Sequence, residues 1–410
     1  MKKTTFGPMF LAVILVILII SIPNQWLTPL VTKQTTRHQS SSLSPAIFQG
    51  ITVQRQVMKD PTIIPIYGSS ELSRFDQFHP SFFFKAYDPK YIPFLIGRGG
   101  TQSLIHFLSL SANYSSLKGK KIIFIISPQW FNKRGLDEQR FDPNFSKLQA
   151  IEFAKNKEIP MDIKERAINR LLDYSIVRND KMLATLMRQA LGMKTEKLTN
   201  KLITNNLVNP YLSIINKQDV LTSKFNFISN IKINNYSTSK NKSYKELMAI
   251  AEKEGKKTAT NNPFYIRNSI YTLHFANKIN QLKNSRSTAS YKESPEYKDL
   301  QLELDLLKSA GAKPLFISIP VNGYFYDYVG FKKEERSLYY KKVSKEIRDS
   351  GFEVEDLSNH EYDKYFFRDS LHLSLKGWVY VDQAMESFLH NKEKVNKKSQ
   401  NLVVNRLTTR

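Results

Sequence analysis

Thr62-Ile-Ile-Pro-Ile-Tyr-Gly-Ser-Ser-Glu-Leu-Ser73 is an apolar run that stops abruptly at Gly68, Ser69 and Ser70. Three more short runs resemble its first half: Lys121 to Ser127, Pro314 to Ile319 and Phe352 to Leu357. All are rich in Ile, Phe and Val and show no clean alternation, the pattern of strands covered on both faces. Helical patterns lie between them. From Pro295 to Ser309, Leu300, Leu304 and Leu307 keep helical spacing, and Gly311 sits where a C-cap belongs. Strands separated by helices predict an α/β fold with a parallel, doubly wound sheet. In such sheets ligands bind beyond the carboxyl ends of the strands. The turn at Gly68 is such an end.

The rest of the chain arranges itself around this core. Residues 144–291 are rich in Lys, Asn and Ser, carry helical stretches such as Asp162 to Tyr174, and offer few strand signals. They are expected to be a largely helical insertion or lid within one domain spanning 46–390. Residues 29–45 are Ser/Thr-rich and read as a linker. The stretch 391–410 is a basic, frayed tail. At the amino end, Lys2 and Lys3 precede an apolar run from Met9 to Ile22, with Trp26 beyond it. A spanning helix needs roughly 20 residues. The expectation is a retained anchor over 8–28, with 1–7 in the cytoplasm and the body outside the cell membrane. No good small-residue cleavage site follows Ile22.

Charge and composition narrow the function. Lys and Arg number 61 against 37 Asp and Glu, a formal net charge of +24. Such a field favours a polyanionic partner. On the outer side of a membrane that excludes nucleic acid and leaves phosphate-rich envelope polymers and anionic head groups. The chain has no cysteine, so disulfides, thiolate metal sites and a cysteine nucleophile are ruled out.

Candidate chemistry sits at the strand ends. Phe366-Phe-Arg-Asp-Ser-Leu-His-Leu-Ser374 places Asp369 three residues before His372. A carboxylate accepting from Nδ1–H fixes the tautomer an imidazole needs to act as a base. The pair then requires a nucleophile from elsewhere, and Ser70 is exposed at the first strand's end, where backbone N–H groups can stabilise an oxyanion. A helix-capping role is the alternative for Ser69 or Ser70. Asp76-Gln-Phe-His79 repeats the spacing, but lies too close to Ser70 to belong to another strand end. Two further junctions bring Gly100, in Gly97-Arg-Gly-Gly, and Gln129, in Ser127-Pro-Gln-Trp-Phe131, as oxyanion donors. No second histidine falls at ligand spacing around His372, so no metal is expected, and no cofactor.

Gly68-Ser69-Ser70, Gly100, Gln129 and Asp369 with His372, in this order, resemble the blocks of the SGNH hydrolase superfamily. The resemblance implies a flavodoxin-like three-layer sandwich with a central parallel sheet, Ser70 as nucleophile, and Gly100 and Gln129 at the oxyanion. Ser69 stands where that superfamily usually has aspartate, and Gln129 where it has asparagine. Over nearly the whole chain, the apolar amino end, G-S-S-E-L-S, S-P-Q-W-F and F-x-D-x-x-H are similar to the DltD family of D-alanyl-lipoteichoic acid biosynthesis proteins.

That second resemblance implies D-alanyl transfer to teichoic or lipoteichoic acid through a covalent D-alanyl ester on Ser70. It also implies partners: the polymer, a D-alanyl carrier protein and a membrane O-acyltransferase. Two other readings stay open on the residues. One is a hydrolase that removes D-alanine from a mischarged carrier; the other is a non-catalytic scaffold that gathers the carrier and the acyltransferase.

Overall fold

The computed structural model of the chain describes residues 6–192, 207–225 and 239–390. Its strands are β1 (Ile63–Tyr67), β2 (Ile92–Ile96), β3 (Lys121–Ile126), β4 (Lys313–Ser318) and β5 (Glu353–Asp356). All pair in parallel, in the order β2-β1-β3-β4-β5. This is the flavodoxin-like doubly wound order, whose direction of winding reverses between β1 and β3. The expected α/β class and parallel sheet are therefore found.

Apolar side chains on both faces explain the unbroken runs of β1, β3 and β4; β5, expected to be covered on both faces, is instead an edge strand with Glu353 exposed and only Val354 buried. Ile63 and Tyr67 of β1 face one core with Phe124 and Phe316, while Ile64 and Ile66 face the other with Ile123 and Ile317. On the first face an aromatic ladder crosses three strands: Tyr67 stacks on Phe124 at 5.2 Å, and Phe124 on Phe316 at 4.7 Å. Helices Ser103–Ser111, Glu296–Ser309 and Lys333–Asp349 cover that face. Helices Pro80–Tyr87, Tyr244–Thr258 and Leu375–Leu389 cover the other. Each such side chain taken from water contributes about 1.5–3 kcal/mol, so the two cores fix the sheet and the loops at its ends.

Strand β2 has no counterpart among the expected strands. Pro93 leaves only Phe94, Leu95 and Ile96 as an apolar run before Gly97, shorter than the other runs, and the proline is tolerated because β2 lies at the sheet edge. Between β3 and β4 the described residues are helix and loop. Helix Asn209–Phe225 from that region is stitched to the core by Asp219, whose carboxylate accepts from Ile51 N–H (3.1 Å), Thr52 N–H (2.8 Å) and Thr52 Oγ1 (2.6 Å). Helix Thr52–Lys59 has no capping side chain of its own, so a distant carboxylate satisfies its first donors.

Two expectations at the amino end need correction. Residues 29–45, expected as a linker, contain helix Lys33–His38, with Thr36 and Gln39 buried. The Ser40 carbonyl accepts from Leu95 N–H at 2.8 Å, so this segment is tied to the edge strand. The spanning helix expected over 8–28 is also absent. Helix Phe6–Ser21 has 16 residues, and no helix among the described residues is long and apolar enough to cross a membrane. At 1.5 Å per residue it falls short of a bilayer core of about 30 Å. Pro23, which lacks an N–H, separates it from the short helix Asn24–Leu27. The expected tail at 391–410 lies outside the described residues.

Candidate active site

At the carboxyl end of β1 the chain turns at Gly68 and enters a short 3-10 helix, Ser70–Ser73. A Cβ on Gly68 would lie 2.4 Å from Glu71 Oε1, so any side chain there would displace that buried carboxylate. Glu71 Oε1 in turn accepts from Ser69 N–H at 2.6 Å. Burial pushes the Glu71 carboxyl up from its ordinary value, against the pull of the backbone donors. The turn presses on a neighbour as well: a Cβ on Gly97, at φ +132°, would sit 2.1 Å from the Gly68 carbonyl oxygen.

The loop after β5 brings the other two groups. It is pinned by Asn322 N–H donating to Ser370 O (3.1 Å), by Arg267 N–H donating to Arg368 O (3.1 Å), and by an antiparallel bridge between Phe367 and Leu373. His372 Nε2 then lies 2.8 Å from Ser70 Oγ, and His372 Nδ1 lies 2.7 Å from Asp369 Oδ2. Asp369 Oδ1 accepts from the N–H groups of Leu371 (2.8 Å) and His372 (2.7 Å). Burial raises the Asp369 carboxyl, but the His372 ring and these two donors outweigh it and hold it below its ordinary value. An ionised Asp369 only accepts, so Nδ1 carries the proton and Nε2 is left to accept from the Ser70 hydroxyl. The geometry is that of a serine whose proton has a ready acceptor.

The remaining expected residues divide. Gly100 and Gln129 line one cavity of about 870 Å³ together with Ser69 and Ser70. Gln129 sits in the 3-10 helix Pro128–Phe131 that follows β3, across the winding reversal from Ser70. Gly100 is not idle: its N–H donates to Ser69 Oγ at 3.1 Å, and Ser69 Oγ donates to Arg98 O at 3.3 Å. The second Asp-x-x-His does not form a pair. His79 is fully buried, its Nδ1 accepts from Ser81 N–H at 3.3 Å, and burial pushes its pKa down to about 3. No group of His, Asp or Glu suited to hold a metal ion is found among the described residues.

Sequence reasoning missed the cavity's charge. Lys133, Arg134, Arg140, Arg286 and Lys292 line it with one carboxylate, Glu293. Arg140 pairs with Asp137 at 2.7 Å; the other four make no ion pair among the described residues. They come from segments 150 residues apart, so only the fold collects them. Arg286 is held by the Tyr326 hydroxyl at 3.4 Å.

A doubly wound parallel sheet with serine, imidazole and carboxylate in series at its winding reversal defines the class. The DltD protein family model matches residues 40–390, and the chain belongs to that family. Protein DltD of Bacillus subtilis (strain 168) is 45% identical over 392 residues, covering 95% of this chain and 98% of the relative. Protein DltD of Staphylococcus aureus (strain NCTC 8325 / PS 47) is 32% identical over 383 residues, 93% of this chain and 95% of the relative. Protein DltD of Lacticaseibacillus rhamnosus is 31% identical over 394 residues, 93% and 90%. The family is involved in the D-alanylation of teichoic acid.

Proposed function

We propose that the chain is an SGNH-type serine acyltransferase that passes D-alanine to teichoic or lipoteichoic acid at the outer face of the cell membrane. The observation that carries this reading is the series Ser70 Oγ, His372, Asp369, with contacts of 2.8 and 2.7 Å. His372 Nε2 takes the Ser70 proton as Oγ attacks the carbonyl of a D-alanyl donor. The negative charge of the tetrahedral intermediate falls to the Ser70 N–H, to Gln129, and to the Gly100 N–H once it leaves Ser69 Oγ. The protonated imidazole then gives its proton to the leaving group, and a D-alanyl ester remains on Ser70. A glycerol-phosphate hydroxyl of the polymer, deprotonated by His372, attacks that ester and releases Ser70.

Two features support the acceptor and the place of work. Unpaired Lys133, Arg134, Arg286 and Lys292 beside Ser70 suit a polymer carrying a phosphate at every repeat. The carrier protein and the membrane O-acyltransferase are the partners in this reading. Helix Phe6–Ser21 exposes Met9, Phe10, Leu15 and Leu18, and this apolar surface keeps the domain at the membrane.

The test is ester-linked D-alanine on teichoic acid in cells carrying Ser70→Ala, with protein levels matched to wild type. Removing an activated serine lowers turnover by about 10⁶-fold, so the ester is expected to vanish. Unchanged ester would favour a scaffold, and increased ester a hydrolase acting on charged carrier.

A further inference from the structure

Behind the Ser70 turn lies a second imidazole that the reaction does not use. His106, on helix Ser103–Ser111, is 2% exposed, and its Nε2 is 3.2 Å from the Gly68 carbonyl oxygen. Its Nδ1 is 3.6 Å from Glu303 Oε1, on helix Glu296–Ser309, and Glu303 is 1% exposed. The ring is fixed sideways by Tyr67, edge-on at 5.4 Å, and by Trp130 at 5.7 Å. A carbonyl oxygen only accepts, so Nε2 must carry a hydrogen. The opposite nitrogen, Nδ1, makes no hydrogen bond among the described residues and faces the buried Glu303 carboxyl, whose pKa burial raises while the His106 ring and the Ser103 hydroxyl pull it down. Burial favours the neutral Glu303 carboxyl, which can donate towards the Nδ1 lone pair.

We propose that His106, with Glu303 behind it, is a positioning residue for the acyl transfer described above. It holds the Gly68 carbonyl and so sets where the Ser70 hydroxyl stands relative to His372. The Gly68 carbonyl also accepts from Thr101 Oγ1, and Gly97 packs directly against it, so this one peptide oxygen is clamped from three sides. Gly68 is two residues from Ser70, and Ser69 between them is held by Glu71 and Gly100. A rotation of the 68–69 peptide therefore moves both the nucleophile and the N–H groups around it. His106 touches no reacting atom; it acts through the backbone. The inference rests on Ser70 being the nucleophile.

The experiment reads Ser70 itself. The purified full chain is treated with a fluorophosphonate, which forms a bond from phosphorus to Ser70 Oγ and expels fluoride while the hydroxyl proton passes to His372. A displacement of about 1 Å at a reacting atom costs about 10²-fold. His106→Ala is expected to lower the maximal labelling rate by about that factor, with half-saturation by the reagent unchanged. His106→Gln keeps an N–H donor towards Gly68 and is expected to recover most of the loss. Equal labelling of all three proteins, or a change in half-saturation alone, overturns the proposal. Wild type that labels no better than Ser70→Ala sinks the acyl-transfer reading instead. The local geometry is then judged by the ¹⁵N spectrum of the His106 ring in wild type. An Nε2 without hydrogen would refute the clamp whatever Ser70 does.

Discussion

The chain contains the same four-residue spacing twice, Asp76 to His79 and Asp369 to His372, and the two imidazoles have opposite fates. His79 is followed at once by Pro80, which opens helix Pro80–Tyr87, so the histidine becomes the cap and its Nδ1 accepts from Ser81 N–H. The ring turns inward against Trp378 at 4.7 Å, and Asp76 Oδ1 accepts from Phe78 N–H. His372 is followed by Ser374, which caps helix Leu375–Leu389 by accepting from Lys376 N–H at 3.1 Å. With that duty assigned to a serine, the ring of His372 is free to stand between Asp369 and Ser70. What separates a site from a cap is which residue the next helix recruits for its first donors.

The strongest way to break this comparison is to exchange carboxylates for carboxamides in both motifs. Asp369→Asn can donate to Nδ1 and so favours the wrong tautomer, and kcat for D-alanyl transfer is expected to fall about 10⁴-fold. Asp76→Asn is expected to leave kcat within about twofold. Comparable losses in a steady-state assay of the two purified variants would dissolve the distinction.

A second measurement sharpens it through acid stability. The pKa of buried His79 is pushed down to about 3, while the unfolded chain has the ordinary value of 6.5. Between these values the unfolded chain binds the extra proton. Stability from the neutral ring is thus complete above pH 6.5 and declines as pH falls towards 3, by up to about 1.4 kcal/mol per pH unit. His79→Asn keeps a capping acceptor without a titrating ring. Urea unfolding between pH 4 and 7 should show a shallower acid slope for this variant, with D-alanyl transfer at pH 7 preserved.

The smallest effect concerns the cap that frees His372. Ser374→Ala leaves Lys376 N–H without its acceptor and is expected to cost about 1 kcal/mol of stability. For a chain of this size that lowers the thermal midpoint by about 1 °C. If Ser374→Ala loses transfer activity beyond its fraction unfolded, His372 has been drawn towards the vacant cap.

Much of this was legible before folding, for identifiable reasons. Strands β1, β3 and β4 announce themselves because a parallel strand buried on both faces has few polar positions to interrupt it, whereas β5, at the sheet edge, shows only Val354 between acidic residues. Ser70, Asp369 and His372 are legible because each follows such a run. Strand β2 is hidden by Pro93. Helix Lys33–His38, made of Lys, Gln, Thr, Arg and His, has no apolar period and is held by contacts to distant residues. His106 reads as a lone imidazole among the Leu, Ile, Phe and Ser of its helix, since its partners Gly68 and Glu303 are far away in sequence. Gly100 reads from the sequence as an oxyanion donor, whereas the acceptor it has in the structure, the Ser69 hydroxyl, depends on the turn geometry.

Ser70 and His372 are 302 residues apart, although their contact is 2.8 Å. During synthesis the proposed nucleophile is therefore among the early residues to emerge and its proposed base among the last. A chain interrupted anywhere before residue 372 carries the serine without the imidazole that contacts it. Under the proposed mechanism, any stop before residue 372 would release a fragment without esterase chemistry, so the order of translation would itself guard against stray hydrolysis.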